Sequence, residues 1–214
     1  MDQVEHDLQA QQYHSYDPAE GHRLPYDPFK AIVAPRPIGW ISSVSPDGIV
    51  NLAPYSFFNA FSTVPPIIGF ASEGAKDSVS NIEKTGEFVF NLVSYPLMKA
   101  MNVTSGSYAS EVDEFEVAGL ERIASQRVKP PRVAASPATL ECKSLDIIQL
   151  KDLNGDKLNN FLVLGQVVQI HINEAFLKDG TFDTVAAQSV ARCGYRGDYT
   201  KVDSLFEMLR PVVS

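Results

Sequence analysis

The sequence predicts a mainly β protein, a β-barrel with peripheral α-helices, and three observations carry that expectation. Short apolar runs with strand character recur along the chain, separated at close intervals by Pro, Gly, Asn and Asp turn signals. Two long strand segments in the second half each carry a bend signal, one near Ser144 and one at Gly165. Few stretches have the length and period of a long helix. With 214 residues, 44% hydrophobic and 21% charged, the chain can bury one sizeable core.

Residues 1–23 read as a flexible acidic arm ahead of a domain over 24–214. Through residue 28 the chain holds Asp2, Glu5, Asp7, Asp17, Glu20 and Asp27 against Arg23 alone, which leaves the rest only mildly acidic within a net charge of −8. Neither a basic nucleic-acid footprint nor a polybasic membrane surface is present. No run has the apolar length of a membrane helix and the N-terminus lacks a secretion signal, so the expected location is the cytoplasm. His6, His14 and His22 recur every eight residues, unlike helical metal ligands three or four apart, and no metal site is expected.

Ile38 to Ser45 has strand character, and Pro46-Asp47-Gly48 turns the chain back through Ile49 to Leu52 as a β-hairpin. Trp40 reads as core rather than pocket lining. Pro65-Pro66 introduces Ile67 to Ala71, a short buried strand that delivers the chain to Ser72. A helix starts near Asp77, whose carboxylate can cap the first free N–H groups, and stops before Gly86. Glu87 to Val93 is the next strand. No G-x-G-x-x-G follows a strand, which sets this order apart from a dinucleotide-binding fold.

Pro96 to Met101 predicts a short helix that Ser105-Gly106-Ser107 breaks, and Asp113 to Leu120 predicts another turn. In Ala138 to Leu150 the apolar residues fall first on even positions (Ala138, Leu140, Cys142) and then on odd ones (Leu145, Ile147). Such a phase change predicts a β-bulge near Ser144. After the Asn154-Gly155-Asp156 turn, Phe161 to Ile172 is one long strand with a bend at Gly165. Beyond it Val168, Ile170 and Ile172 share one face and Gln169 and His171 the other, so His171 reads as a partly exposed strand residue rather than a general base. Asp179-Gly180 is a turn, and Asp183 to Ala191 is predicted as helix.

The loop Arg192 to Tyr199 carries two Arg and two Tyr. It either presents cations and an aromatic wall to an anionic cofactor or packs as a surface loop. Cys142 and Cys193 are too far apart for a CxxC pair and read as buried or semi-buried thiols. The absence of a Ser/His/Asp or Cys/His arrangement favours redox over hydrolytic chemistry.

Two runs look like parts of one ligand site. Asn51-Leu52-Ala53-Pro54-Tyr55-Ser56-Phe57-Phe58-Asn59 is rich in groups that hydrogen-bond a polar heterocycle. Ser72-Glu73-Gly74-Ala75-Lys76-Asp77-Ser78 runs a glycine-containing loop into a helix start, where unpaired amides and the macrodipole favour an anion. Lys76 and the hydroxyls of Ser72 and Ser78 add charge and donors for a phosphate. The alternative is a helix that caps itself through Asp77 and binds nothing.

Pro35-Arg36-Pro37-Ile38-Gly39-Trp40, the run from Asn51 to Asn59, Pro65-Pro66, Lys76-Asp77-Ser78 with Asn81, and Glu87 to Leu92 follow in one order. Arg192-Cys193-Gly194-Tyr195, Tyr199 and Arg210-Pro211 complete it. By joint order and spacing this series resembles the flavin reductase-like family, over residues 24–211. The resemblance implies an FMN-binding split β-barrel of Greek-key type, FMN at a homodimer interface, and electron transfer from NAD(P)H through FMN to an acceptor.

It puts Lys76 and Ser78 at phosphate-contacting positions, with Arg36 as a third. Ser56 and Phe57, with the backbone near Ala53 and Tyr55, lie along the isoalloxazine ring, and Ser72, Arg192 and Tyr195 complete the expected cofactor-binding set. Tyr108 or Phe115 is expected to reach the flavin or its substrate, with Met101 in packing. Ser78 stands where Thr is common, and Cys193 where the family usually has leucine between Arg and Gly. No catalytic side chain is assigned, because the flavin carries the chemistry. The expected partners are a small-molecule electron donor and acceptor or a redox partner protein. A flavoredoxin-like FMN electron carrier without its own NAD(P)H turnover is the alternative, and a barrel binding a non-flavin ligand is a third possibility.

Overall fold

A computed structural model describes residues 12–213. Its first half contains Arg36–Pro37 (β1), Gly39–Val44 (β2), Val50–Tyr55 (β3), Phe58–Thr63 (β4), Pro66–Glu73 (β5) and Glu87–Asn91 (β6). Arg122–Ile123 (β7) and Arg132–Val133 (β8) precede the two long strands Ala138–Lys151 (β9) and Lys157–Ile172 (β10). Leu177–Lys178 (β11), Thr181–Phe182 (β12), Val190–Arg192 (β13) and Tyr199–Lys201 (β14) follow.

Seven strands form one antiparallel sheet in the order β3-β2-β6-β9-β10-β5-β4. Pairs β2/β3, β4/β5 and β9/β10 are hairpins, while β5 and β6 are separated in the sheet by β10 and β9, as in a Greek key. The edge strands β3 and β4 are consecutive in sequence and joined only by Ser56 and Phe57, so the sheet must curl until its edges approach. At that seam a Cβ on Gly39 would stand 2.6 Å from the Phe58 ring. The mainly β barrel expected from the sequence is therefore present.

Curvature accompanies register breaks between β9 and β10. Leu164 faces Asp146 but Gly165 faces Ser144, which leaves Leu145 as the extra residue beside the expected Ser144. Gly165 has a steric reason, since the Phe88 ring occupies the space a Cβ would fill, with Cε1 only 2.3 Å from it. A further break makes Val168 the extra residue between the pairs Val167/Cys142 and Gln169/Glu141. Past it Ile170 and Ile172 share the exposed face. His171 is half-buried, with Nε2 2.6 Å from Glu141 Oε1.

Glu141 is fully buried yet fully used. Its oxygens accept the Gln126 N–H at 2.8 Å and the Arg127 N–H at 2.6 Å as well as meeting His171. Burial pushes the carboxyl up, but the two amides and His171 outweigh it and hold Glu141 below its ordinary value.

Two apolar clusters share the sheet. One packs Ile41, Phe70, Phe88 and Val163 against Val79 and Ile82 of the helix Asp77–Thr85, which buries one face and ends at Gly86 with φ 72°. The other places Trp40 and Leu52 against Leu97, Met101 and Phe115. Strand β2 is buried along both faces for this reason. Each fully buried side chain of this kind contributes about 1.5–3 kcal/mol. Trp40 and Met101 are thus core, as expected, and Phe115, named as a candidate flavin or substrate contact, is fully buried in the same cluster.

The expected helix over 183–191 is shorter. Asp183 accepts the Ala186 N–H at 2.8 Å and caps Thr184–Ala187, Gln188 ends it at φ 45°, and β13 pairs with β1 and β14. Pairing of Arg36 with Arg192 supplies backbone partners that a longer helix would forgo. The short helices Met98–Val103 and Glu114–Val117 fall where the sequence places them. Residues 1–11 of the expected arm, with His6, lie outside the described residues; His14 Nε2 is 2.8 Å from the His22 carbonyl oxygen. Cys142 is buried and Cys193 half-buried, both as free thiols. Among the described residues no helix is long and apolar enough to cross a membrane.

Candidate functional site

Strand β3 forms the floor of the site because its side chains alternate. Leu52 points into the second core cluster, while Asn51, Ala53 and Tyr55 face the helix Asp77–Thr85. Between them lies a cavity of about 300 Å³. Lys76, Asp77 and Ser78 close one side, and residues 104–108 with Glu114 close the other.

The helix start differs from expectation in one respect. Lys76 occupies the N-cap position in extended conformation and makes no side-chain cap, and Asp77 is the first helical residue instead of the cap. The first amides of the helix are left without the side-chain acceptor that a cap supplies. Asn51 Nδ2 donates to Ser78 Oγ at 2.9 Å, which fixes the hydroxyl at the helix start. Burial pushes the Tyr55 phenol up, partly offset by the Ser78 and Ser72 hydroxyls.

The opposite wall comes from distant sequence. Thr104 Oγ1 accepts the Trp40 indole N–H at 2.9 Å and donates to the Met101 carbonyl, anchoring the loop to the core. Tyr108 folds back over Gly106, where a Cβ would lie 2.8 Å from the phenol ring, and its hydroxyl donates to the Val103 carbonyl. Glu114 Oε2 accepts the Leu52 N–H at 2.9 Å. Burial raises the Glu114 carboxyl above its ordinary value despite that amide, and Asp77 and Asp113 add to the rise.

A second cavity of about 450 Å³ meets the first along Pro54 and Ser105. Ser56, Arg192, Arg196 and Tyr199 line it, and the Arg192 guanidinium carbon stands 4.6 Å from the centre of the Tyr199 ring. The two cavities are adjacent at the end of β3, one lined by Lys76 and the other by Arg192 and Arg196.

Of the residues singled out from sequence, Ala53, Tyr55, Lys76 and Ser78 come together in the first cavity, and Ser56 and Arg192 in the second. Tyr108 also lines the first cavity, and the other expected cofactor-binding residues stand apart from these walls. Arg36 is buried and donates to the Lys30 and Val33 carbonyls, with its guanidinium 5.8 Å from the Phe57 ring centre. Ser72 is buried and donates to the Gly74 carbonyl at 2.9 Å. Phe57 is exposed beside Arg36, and Tyr195 is exposed against Tyr26, 5.8 Å between rings. Thr104, Ser107 and Glu114 are lining residues that carry no local sequence signal, whereas Asn51 belongs to the run already noted.

Residues 33–186 match the family described as the flavin reductase like domain. An uncharacterized protein of Halalkalibacterium halodurans is 35% identical over 187 residues, covering 85% of this chain and 88% of its own. Nitrilotriacetate monooxygenase component B from Bacillus cereus superposes with a TM-score of 0.84 at 27% identity, covering 93% of this chain and 100% of its own. The flavoredoxin of Desulfovibrio vulgaris shares the fold at a TM-score of 0.73 and 18% identity, over 82% of this chain and 91% of its own. The barrel is the split barrel of these proteins. With most of its length matched and its strand order accounted for, this chain belongs to the flavin reductase-like domain family.

Proposed function

We propose that the protein is an FMN-dependent oxidoreductase that moves electrons from NAD(P)H to an acceptor. The observation that carries this reading is the first cavity, where an uncapped helix start, Lys76 and Ser78 converge on the end of β3. Helix-terminal amides, an ammonium and an oriented hydroxyl are the donor set that a phosphate monoester requires, so the residues fit FMN. Lys76 and Ser78 would hold its phosphate, and the stretch Ala53–Ser56 would lie along its ring.

Bound FMN supplies two-electron acceptance and one- or two-electron release. The chain's own residues bind, orient and exclude water. Asn51 holds the Ser78 hydroxyl toward the helix start, Tyr108 and Thr104 wall off solvent, and the Leu52 amide is drawn back by Glu114. In the second cavity Arg192, Arg196 and Tyr199 supply charge and an aromatic face for an anionic second reactant. The acceptor is a small molecule or a redox partner protein, and the working form is a homodimer.

Likeness to flavoredoxin supports a second reading, an FMN electron carrier without NAD(P)H turnover. Absorbance of the purified protein between 350 and 500 nm tests for flavin. Rapid NADH or NADPH oxidation in the presence of an acceptor supports the reductase; reduction by a protein partner alone supports the carrier. Colourless protein that takes up no added FMN sinks both.

A further inference from the structure

Glu114 is a buried carboxyl whose full role the fold does not account for. It opens the helix Glu114–Val117, is 6% exposed, and lines the same cavity as Lys76 and Ser78. One oxygen is occupied by the Leu52 N–H, and the carboxyl makes no ion pair among the described residues.

The charged and titratable groups around it come from every neighbouring element. Strand β3 brings the Tyr55 phenol, the start of the helix Asp77–Thr85 brings Lys76 and Asp77, and the loop brings Tyr108. Its own segment brings Asp113, which is paired with Arg122 at 2.8 Å. Among the described residues Lys76 is the one cation lining the cavity, against two carboxyls, Asp77 and Glu114. Burial first, then the acidic neighbours Asp77 and Asp113, disfavour the ionised form of Glu114 against the backbone amides of Leu52 and Glu114, which favour it.

A phosphate brought to Lys76 adds further negative charge to this balance. We infer that Glu114 is the proton-binding residue of the cavity: it takes up a proton as the phosphate end of the ligand binds, so the site receives its anion together with a proton. The inference rests on the cavity being the FMN phosphate site. Protonated Glu114 keeps an oxygen for the Leu52 amide and gains an O–H that can donate to the ligand.

The sign of the pH effect follows from linkage. More protons are bound in the complex than in the free protein, so affinity falls as pH rises between the Glu114 midpoint of the free protein and that of the complex. Below and above that window the Glu114 contribution is flat.

Calorimetric titration of FMN into the full chain and into Glu114→Gln, from pH 5.5 to 8.5 in buffers of different ionisation enthalpy, counts the protons. Glutamine keeps an acceptor for Leu52, and the phosphate's own titration is common to both proteins. The expected result is extra proton uptake by the wild type, about half a proton at its maximum, and a fall in its affinity about tenfold larger than the variant's across the window. Equal proton counts would overturn the inference. Carbon-13 NMR of the Glu114 carboxyl in the unaltered protein gives a check that needs no variant: its midpoint must rise when FMN is added, and an unmoved midpoint overturns the claim. FMN that fails to bind at any pH removes the phosphate-site reading itself, a result distinct from binding without a proton difference.

Discussion

Lys76 sits at the N-cap of the helix Asp77–Thr85 without capping it, and its side chain is exposed. Removing it takes away a charge-assisted donor and little packing. Lys76→Ala is therefore expected to weaken FMN binding by about 1–3 kcal/mol in a titration at fixed salt, with unchanged thermal stability. Equal affinity would take Lys76 out of the phosphate site. Glu141 is the opposite case, a buried carboxylate whose partners are all internal. Its folded value lies below the ordinary 4.5, so its stabilisation is present above about pH 4.5 and is lost as pH falls through the folded value. Glu141→Gln should cost about 2–3 kcal/mol at pH 7 by urea unfolding, and the gap from wild type should close in acid. Sequence alone reveals Lys76 through its place in the loop-to-helix run. It does not reveal Glu114, because the bond from Leu52 to Glu114 spans 62 residues and no short-range pattern encodes it.

At the level of strands and loops, the Pro46-Asp47-Gly48 turn made the β2/β3 hairpin legible and period-two alternation the bulge next to Ser144, since a slip of one residue exchanges the faces of a strand. The same logic missed the partner of His171. Glu141 alternates with Leu140 and Cys142 and so reads as a residue of the solvent face, whereas the Gln126 and Arg127 amides that bury it come from a segment 15 and 14 residues away. Strand β13 was illegible for a related reason, as its pairing with β1 joins residues far apart in the chain. Gly165→Ala forces a methyl into the Phe88 ring and should destabilise by about 1–3 kcal/mol, read as a lower urea midpoint. Gly106→Ala displaces Tyr108 instead, and because that loop is exposed the expected effect is weaker FMN binding with unchanged Tm. A drop in Tm with normal binding would show that Tyr108 supports the fold rather than the cavity.

Across the whole molecule, apolar surface is concentrated after β14. Leu205, Phe206, Met208, Leu209, Val212 and Val213 are 68–96% exposed. A self-complementary interface between two copies would cover such a surface, in keeping with the proposed homodimer. Light scattering at micromolar concentration should give twice 23.5 kDa, and a monomer mass would contradict the proposal.

The chain has one tryptophan, and its placement has a practical use. Trp40 is sealed in the core but hydrogen-bonded to Thr104, the residue whose other side forms the cavity wall. Its fluorescence is thus shielded from solvent quenchers while standing one side chain away from any chromophore in the cavity. Flavin absorbs where indole emits, so flavin bound at the proposed site is expected to dim this single emitter by energy transfer, which would give an internal optical gauge of loading.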